Sequence, residues 1–256
     1  MGRRILILGG TSEARGLVKG LLDEGLHDVT LSLAGALGDG TEASFRDRLK
    51  KTDLSRLYIR IGGFGGPDGL SAYLQTEAID LLIDATHPYA AQISHNAHQA
   101  ANRCQIGFVR LERPAWEPLA GKSWIEAKDL NDAATCIPQG ARVLLAVGRQ
   151  SAKPFQARTD CHFLLRSIAP ANVVDFGGNF SFCQAMPGKT IEEEIQLLQE
   201  KEISCLVTKN SGAKRSYHKI AAAHALGLDV VMIKRPILPD CRIFNNLDTI
   251  LDWLKG

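Results

Sequence analysis

The stretch that decides the fold opens the chain: Arg4-Ile5-Leu6-Ile7-Leu8-Gly9-Gly10-Thr11-Ser12-Glu13-Ala14-Arg15. An apolar run without polar alternation, as in Ile5–Leu8, is a strand covered on both faces. The glycine pair is a tight turn, and from 13 to 24 the apolar residues return at helical spacing. Strand, glycine turn and helix in this order begin a β-α-β unit. Glycines followed by Thr and Ser at a helix amino end also offer a phosphate close backbone approach and N–H groups. The G-x-G-x-x-G spacing is not met, because Thr11 and Ala14 hold the later positions. Two readings of the turn follow: a nucleotide site built on Gly9, Gly10, Thr11 and Ser12, or a plain βα turn capped by Ser12.

Outward from this turn the alternation continues. Strands are expected at 28–33, 57–61, 80–84 and 107–111, with helices at 69–77 and 90–103. Arg113-Pro114-Ala115-Trp116-Glu117-Pro118 then breaks the pattern, since neither proline fits a helix interior or a central strand. Beyond it come strands at 143–147, 204–208 and 229–233 and helices at 190–201 and 214–226. A last helix, at 247–254, is free to pack on either half. The expectation is an α/β protein of two lobes, 1–115 and 116–256, each with a mainly parallel sheet, and a cleft between the lobes. In such sheets ligands bind where strands end and loops lead into helices.

Composition narrows the function. In 256 residues, 45% are hydrophobic and 23% charged, as in an ordinary globular chain rather than a disordered one. Lys and Arg number 30 against 28 Asp and Glu, so no general basic excess points to nucleic acid or a membrane surface. No apolar run approaches the ~18 residues that span a bilayer. The chain enters its first strand at once, without a signal-peptide core, and a cytoplasmic protein is expected. The six cysteines are too far apart for any C-x-x-C pair and are read as reduced packing thiols. No set of ligands has metal-site spacing, so no metal is expected.

The strand-end loops carry the candidate chemistry. After the second strand, Leu31-Ser32-Leu33-Ala34-Gly35-Ala36 lacks the carboxylate that an NAD site offers to the ribose, which favours NADPH while leaving NADH open. Arg15 and Arg46 are the nearest candidate cations for a 2′-phosphate. Gly62-Gly63-Phe64-Gly65-Gly66-Pro67-Asp68-Gly69 holds five glycines in eight residues, a loop suited to a ligand lying on its backbone or to plain mobility. Asp84-Ala85-Thr86-His87-Pro88-Tyr89-Ala90-Ala91 gathers polar groups at a strand end, with Pro88 placed for the first turn of a helix. His87 and Tyr89 are candidates to deliver or orient a proton. In the second half, Val147-Gly148-Arg149-Gln150-Ser151 and Val207-Thr208-Lys209-Asn210-Ser211-Gly212 repeat the pattern of small residues with a cation. Arg149, Lys209, Arg215 and Lys219 are read as a local positive site for a ligand with several carboxylates or phosphates.

These strings, in this order, resemble the precorrin-6A reductase family of cobalamin biosynthesis over nearly the whole chain. The most specific are Asp84-Ala85-Thr86-His87-Pro88-Tyr89-Ala90 and Thr208-Lys209-Asn210-Ser211-Gly212, joined by Leu111-Glu112-Arg113-Pro114-Ala115-Trp116 and Gly62-Gly63-Phe64-Gly65-Gly66. The resemblance implies two Rossmann-like lobes, a reduced nicotinamide cofactor between them, and reduction of one double bond of a corrinoid polycarboxylate. It implies that Gly10, Thr11, Ser12, Gly62, Gly63, Phe64 and Gly65 hold cofactor phosphates and ribose and that Thr86 to Tyr89 border the nicotinamide; Gly9, Arg15 and Gly35 are further cofactor candidates from the turns themselves. It further implies that Arg149 and Lys209 to Gly212 meet substrate or cofactor; Arg149, Asn210, Ser211, Gly212, Arg215 and Lys219 are taken as the substrate candidates and His87, Tyr89 and Lys209 as the catalytic ones. The chain departs from the family pattern at Ala36, where an arginine is usual, and at Ala213, where a glycine is usual. Two rival classes are a non-catalytic nucleotide sensor of the same fold and a tetrapyrrole synthase that uses no nicotinamide.

Overall fold

The computed structural model describes residues 2–34, 52–118, 121–168 and 176–256. Gly35, Ala36 and Arg46, named above for the cofactor, lie outside them. The chain forms two compact units, Met1–Pro114 with Pro236–Gly256, and Ala115–Arg235.

The first unit contains β1 (Arg4–Leu8), α1 (Ser12–Glu24), β2 (Asp28–Leu33), β3 (Leu57–Ile61), α2 (Gly66–Thr76), β4 (Leu81–Asp84), α3 (Ala91–Cys104) and β5 (Gly107–Leu111). Its strands run in the order β3-β2-β1-β4-β5, all parallel. The alternating side chains of β1 explain why every residue of its apolar run is buried. Ile5 and Ile7 enter the core under α1, while Leu6 and Leu8 enter the core under α2 and α3. Helix α1 buries Ala14, Leu17, Val18, Leu21 and Leu22 on one face. It ends at Gly25, whose φ of 66° is the left-handed conformation that glycine adopts without strain.

The second unit contains β6 (Ile125–Ala127), α4 (Leu130–Cys136), β7 (Arg142–Ala146), β8 (His162–Ser167), β9 (Phe180–Gln184), α5 (Ile191–Glu200), β10 (Cys205–Lys209), α6 (Lys214–Ala225) and β11 (Asp229–Ile233). Its parallel sheet runs β9-β8-β7-β10-β11-β6. Then the chain returns to the first unit. β12 (Arg242–Phe244) pairs parallel with β5 as the sixth strand of the first sheet, and α7 (Leu247–Lys255) lies on α1. The last helix, which the sequence left free to join either half, is therefore part of the first unit. Gly16 and Gly20 of α1 make room for Leu247 and Leu251 of α7, and a Cβ at Gly20 would come within 2.7 Å of Leu251 Cδ1. Ile250 and Leu254 of α7 are buried in the first core.

Each sheet thus has the 3-2-1-4-5 order of a doubly wound fold, and each takes its sixth strand from outside its own run of five. Sequence reading missed β6, α4, β8, β9 and β12, and three of these have a physical cause. β6 and β12 are three-residue edge strands, too short to show a period. β8 interrupts its apolar run with Arg166, whose charge is met by the buried Glu194.

Candidate functional site

The turns with candidate chemistry fall at the carboxyl ends of the strands in both units. In the first unit Thr11, not Ser12, caps α1: its Oγ1 accepts the Ala14 N–H at 3.1 Å and donates to the Ala85 carbonyl at 2.7 Å. That pair of bonds ties the turn after β1 to the turn after β4. The Thr11 hydroxyl is therefore committed to protein, and the Ser12 hydroxyl donates to Glu13 Oε2 at 3.0 Å. The anion-receiving capacity of this turn is thus in its backbone and helix end. Glu13 would oppose an anion there, but Arg113 stands 3.3 Å from its carboxylate and offsets the charge. Arg15 lies in the first turn of α1, its N–H on the Thr11 carbonyl.

The glycines at these turns play different parts. A Cβ on Gly9 would come within 2.6 Å of Leu31 Cδ1, so Gly9 is a packing requirement. Gly10, at φ 123°, needs its conformational freedom, and a Cβ there would meet nothing within 4 Å.

After β3 the chain turns through Gly62, Gly65 and Gly66, all at positive φ and all facing open space. α2 starts at Gly66 rather than at 69, with Gly65 as its cap. Arg60, which sequence reading passed over, holds this turn. Its Nη1 donates to the Gly62 carbonyl and its Nη2 to the Gly63 carbonyl, both at 2.7 Å. The signal available in the sequence was a cation near the end of a strand that feeds a glycine loop.

After β4, Asp84 is 3% exposed and organises its surroundings. Its Oδ1 accepts from the Thr86 N–H (3.0 Å) and Oγ1 (2.6 Å), and its Oδ2 accepts from Ser94 Oγ (2.6 Å). Arg110 Nε lies 3.8 Å from that Oδ2, and Arg110 also pairs with Glu112. Thr86 is thereby fixed. Pro88 sits in a turn closed by the Ala90 N–H on the His87 carbonyl, and α3 begins only at Ala91, so Pro88 is not in its first turn. His87 is exposed, and its Nδ1 accepts the Tyr89 N–H at 3.3 Å. A neutral His87 ring then carries its proton on Nε2. A cavity of about 380 Å³ joins this turn to the glycine loop, with Gly63, Phe64 and Gly65 on one wall and Tyr89, Gln92 and Asn96 on the other.

In the second unit Lys209, at the end of β10, donates from Nζ to Ser151 Oγ at 2.7 Å, which joins the turns after β7 and β10. Burial lowers its pKa. Arg149 is exposed on a short 3-10 turn, Arg149–Ser151, after Gly148. Arg215 donates from Nε to the Pro187 carbonyl at 2.8 Å. Lys219, the fourth expected cation, is only 4% exposed; its Nζ donates to the Ser216 carbonyl and lies 5.2 Å from the Trp116 ring. Burial first and Arg166 second push its pKa down to about 7, against a smaller opposing effect of Glu194. Asn210 pairs its side-chain amide with the Trp116 backbone, Oδ1 accepting at 2.7 Å and Nδ2 donating at 2.9 Å. Ser211 is buried and Gly212, at φ 72°, turns the chain toward α6.

The profile of the family described as "Precorrin-6x reductase CbiJ/CobK" matches residues 4–255. A precorrin-6A reductase of Rhodococcus erythropolis is 43% identical over 92% of this chain and 90% of its own length. A cobalt-precorrin-6A reductase of Synechocystis is 30% identical over 96% of this chain and 94% of its own. Among solved structures, one described as "CobK precorrin-6A reductase" superposes with a TM-score of 0.84 at 35% identity, covering 99% of this chain and 96% of that one.

Proposed function

Because the chain belongs to the precorrin-6x reductase CbiJ/CobK family, we propose that it reduces one carbon–carbon double bond of the precorrin-6A macrocycle in the assembly of cobalamin, using NADPH in preference to NADH. The observation that carries this reading is the extent of the match: 4–255 includes both units and every turn described above. The relatives named for the cobalt-free substrate reach the higher identity, 43% against 30%, which favours precorrin-6A over its cobalt form.

The first unit fits a dinucleotide. Open space stands over Gly10, Gly62 and Gly65, where an added Cβ would meet nothing within 4 Å. The amino end of α1, with Glu13 offset by Arg113, suits a pyrophosphate. In this reading Gly10 and the α1 end receive the phosphates. Gly62, Gly63, Phe64 and Gly65 border the adenosine side, and Thr86, held by Asp84, borders the nicotinamide. When bound, a reduced nicotinamide supplies the hydride.

His87 presents an Nε2–H and is the group we assign to the proton, with Tyr89 fixing its ring through the backbone. Arg149 and Lys209 meet substrate carboxylates, and the shape of the Ser211–Gly212 turn follows them. The substrate carries many carboxylates, which explains local cations in a chain of net charge +2.

The test is direct. Purified protein with precorrin-6A should consume NADPH stoichiometrically, seen as loss of nicotinamide absorbance, and NADH more slowly. His87→Ala should lower kcat by about 100-fold with little change in the KM for NADPH. Arg149→Ala should act mainly on the KM for the macrocycle. No oxidation of either nucleotide in the presence of substrate would overturn the reading, and binding without turnover would favour the nucleotide sensor.

A further inference from the structure

We propose that Arg60 is a positioning residue of the cofactor site: it holds the Gly62–Gly66 turn in the shape that receives the nucleotide, and acts through that turn rather than by touching the ligand. The proposal deepens, and rests on, the nicotinamide reading above.

Arg60 stands on β3 in register with Ser32 of β2. Its guanidinium is engaged on its edge and on its face. Nη1 donates to Ser32 Oγ at 3.2 Å and to the Gly62 carbonyl at 2.7 Å, while Nη2 donates to the Gly63 carbonyl at 2.7 Å. The carbon centre lies 3.7 Å from the centroid of the Phe64 ring and 5.3 Å from that of Tyr73. Those two rings meet edge-on at 5.3 Å. One side chain therefore fixes three consecutive residues of the turn and ties them to the end of β2.

The turn needs such a clasp. Glycine loses more backbone freedom on ordering than any other residue, and this turn has three glycines at positive φ. Its far end is fixed by another route: Gly69 has no Cβ, which lets the Phe64 carbonyl close on α2. Arg60 supplies the near end. Lysine cannot replace it, because only a planar fork reaches two successive carbonyls while stacking on a ring. The cavity beside the turn is lined by Gly63, Phe64 and Gly65, and Arg60 is not among its lining residues. Preorganisation of this kind affects affinity by removing the ordering cost from the binding step.

Three measurements on the full chain test this. First, amide hydrogen exchange without nucleotide should speed up at 62–66 in Arg60→Gln and Arg60→Lys, while β1 and β4 keep their protection. Second, fluorescence titrations should show NADPH and NADH affinity falling by the same factor, about tenfold, in both variants. Third, with precorrin-6A the KM for NADPH should rise by that factor while kcat stays within about threefold. Phe64→Leu, which keeps the arginine and removes the ring under it, should move all three the same way by less and serves if the arginine variants fold poorly. Unchanged exchange at 62–66 would overturn the proposal, as would full affinity in Arg60→Lys. A loss confined to NADPH would also overturn it, by showing direct contact with the 2′-phosphate. If the unaltered protein binds neither nucleotide, the cofactor reading itself falls, and the exchange result still decides whether Arg60 clasps the turn.

Discussion

At Asp84 a single buried carboxylate accepts two hydrogen bonds from Thr86 and one from Ser94, and faces Arg110. Removing one member of such a buried charged set leaves the others desolvated, which costs far more than a surface ion pair. Asp84→Ala should lower the unfolding free energy by about 3–5 kcal/mol in urea titrations, with Asp84→Asn between it and the natural protein. A loss below about 1 kcal/mol would show that water reaches the site. Lys219 makes the opposite point, since its burial first and the charge of Arg166 second disfavour its charged form, against a smaller effect of Glu194, and lower its pKa to about 7. Below that pH both folded and unfolded chains hold the proton, and the penalty is constant. From about pH 7 to the ordinary lysine range near 10 the unfolded chain alone stays protonated, so stability rises with pH. Unfolding free energies of the natural protein and Lys219→Met, compared from about pH 6 to about pH 9, should converge as pH rises, at up to about 1.4 kcal/mol per pH unit. A constant difference would mean that the amine stays protonated throughout.

Among the elements, most strands and the longer helices were legible from sequence, while β6, β8, β9, β12 and α4 were not. β1, β2, β5 and β11 fall where their apolar runs place them, because a covered strand needs no partner to declare itself; β3 also falls at its expected residues, although it ends its sheet and leaves Tyr58 68% exposed. α2 starts three residues before its expected position and α1 one residue before. Thr11 takes the cap of α1 since its hydroxyl also reaches Ala85, a bond from another loop that no local rule contains. Asn210 is similar. The pattern marks it as a substrate residue, and the structure pairs its side-chain amide with the Trp116 backbone, while its main-chain carbonyl accepts from Arg235 Nε at 2.9 Å. Asn210→Ala should therefore cost about 1–3 kcal/mol of stability, seen in the urea midpoint of the second unit. If stability is unchanged and the KM for the macrocycle rises instead, the substrate role is the correct one.

For the molecule as a whole, the decisive feature is that the chain leaves the first unit at Pro114 and comes back at Pro236. The returning segment supplies β12, beside β5, and the buried Ile250 and Leu254 of α7. A chain ending at Arg235 would lose that cover, each buried aliphatic side chain being worth about 1.5–3 kcal/mol. In limited proteolysis such a chain should be cut first within Met1–Pro114, while Ala115–Arg235 survives as a resistant fragment. Equal resistance of both parts would mean that β12 and α7 add little to the first core.

By itself the sequence determined the α/β alternation, the parallel sheets, the strand-end turns that carry the candidate residues and, through long specific strings, the family. It could do so because apolar period and glycine turns are local, and each reports how its own segment is buried. Only the tertiary structure decided that β6 and β12 serve as sixth strands, that Lys219 is buried while Arg149 is exposed, and that Arg60 grips the glycine turn. These depend on neighbours distant in the chain, and a side chain's burial, charge and hydrogen bonds are set by the partner it meets, not by the residues beside it.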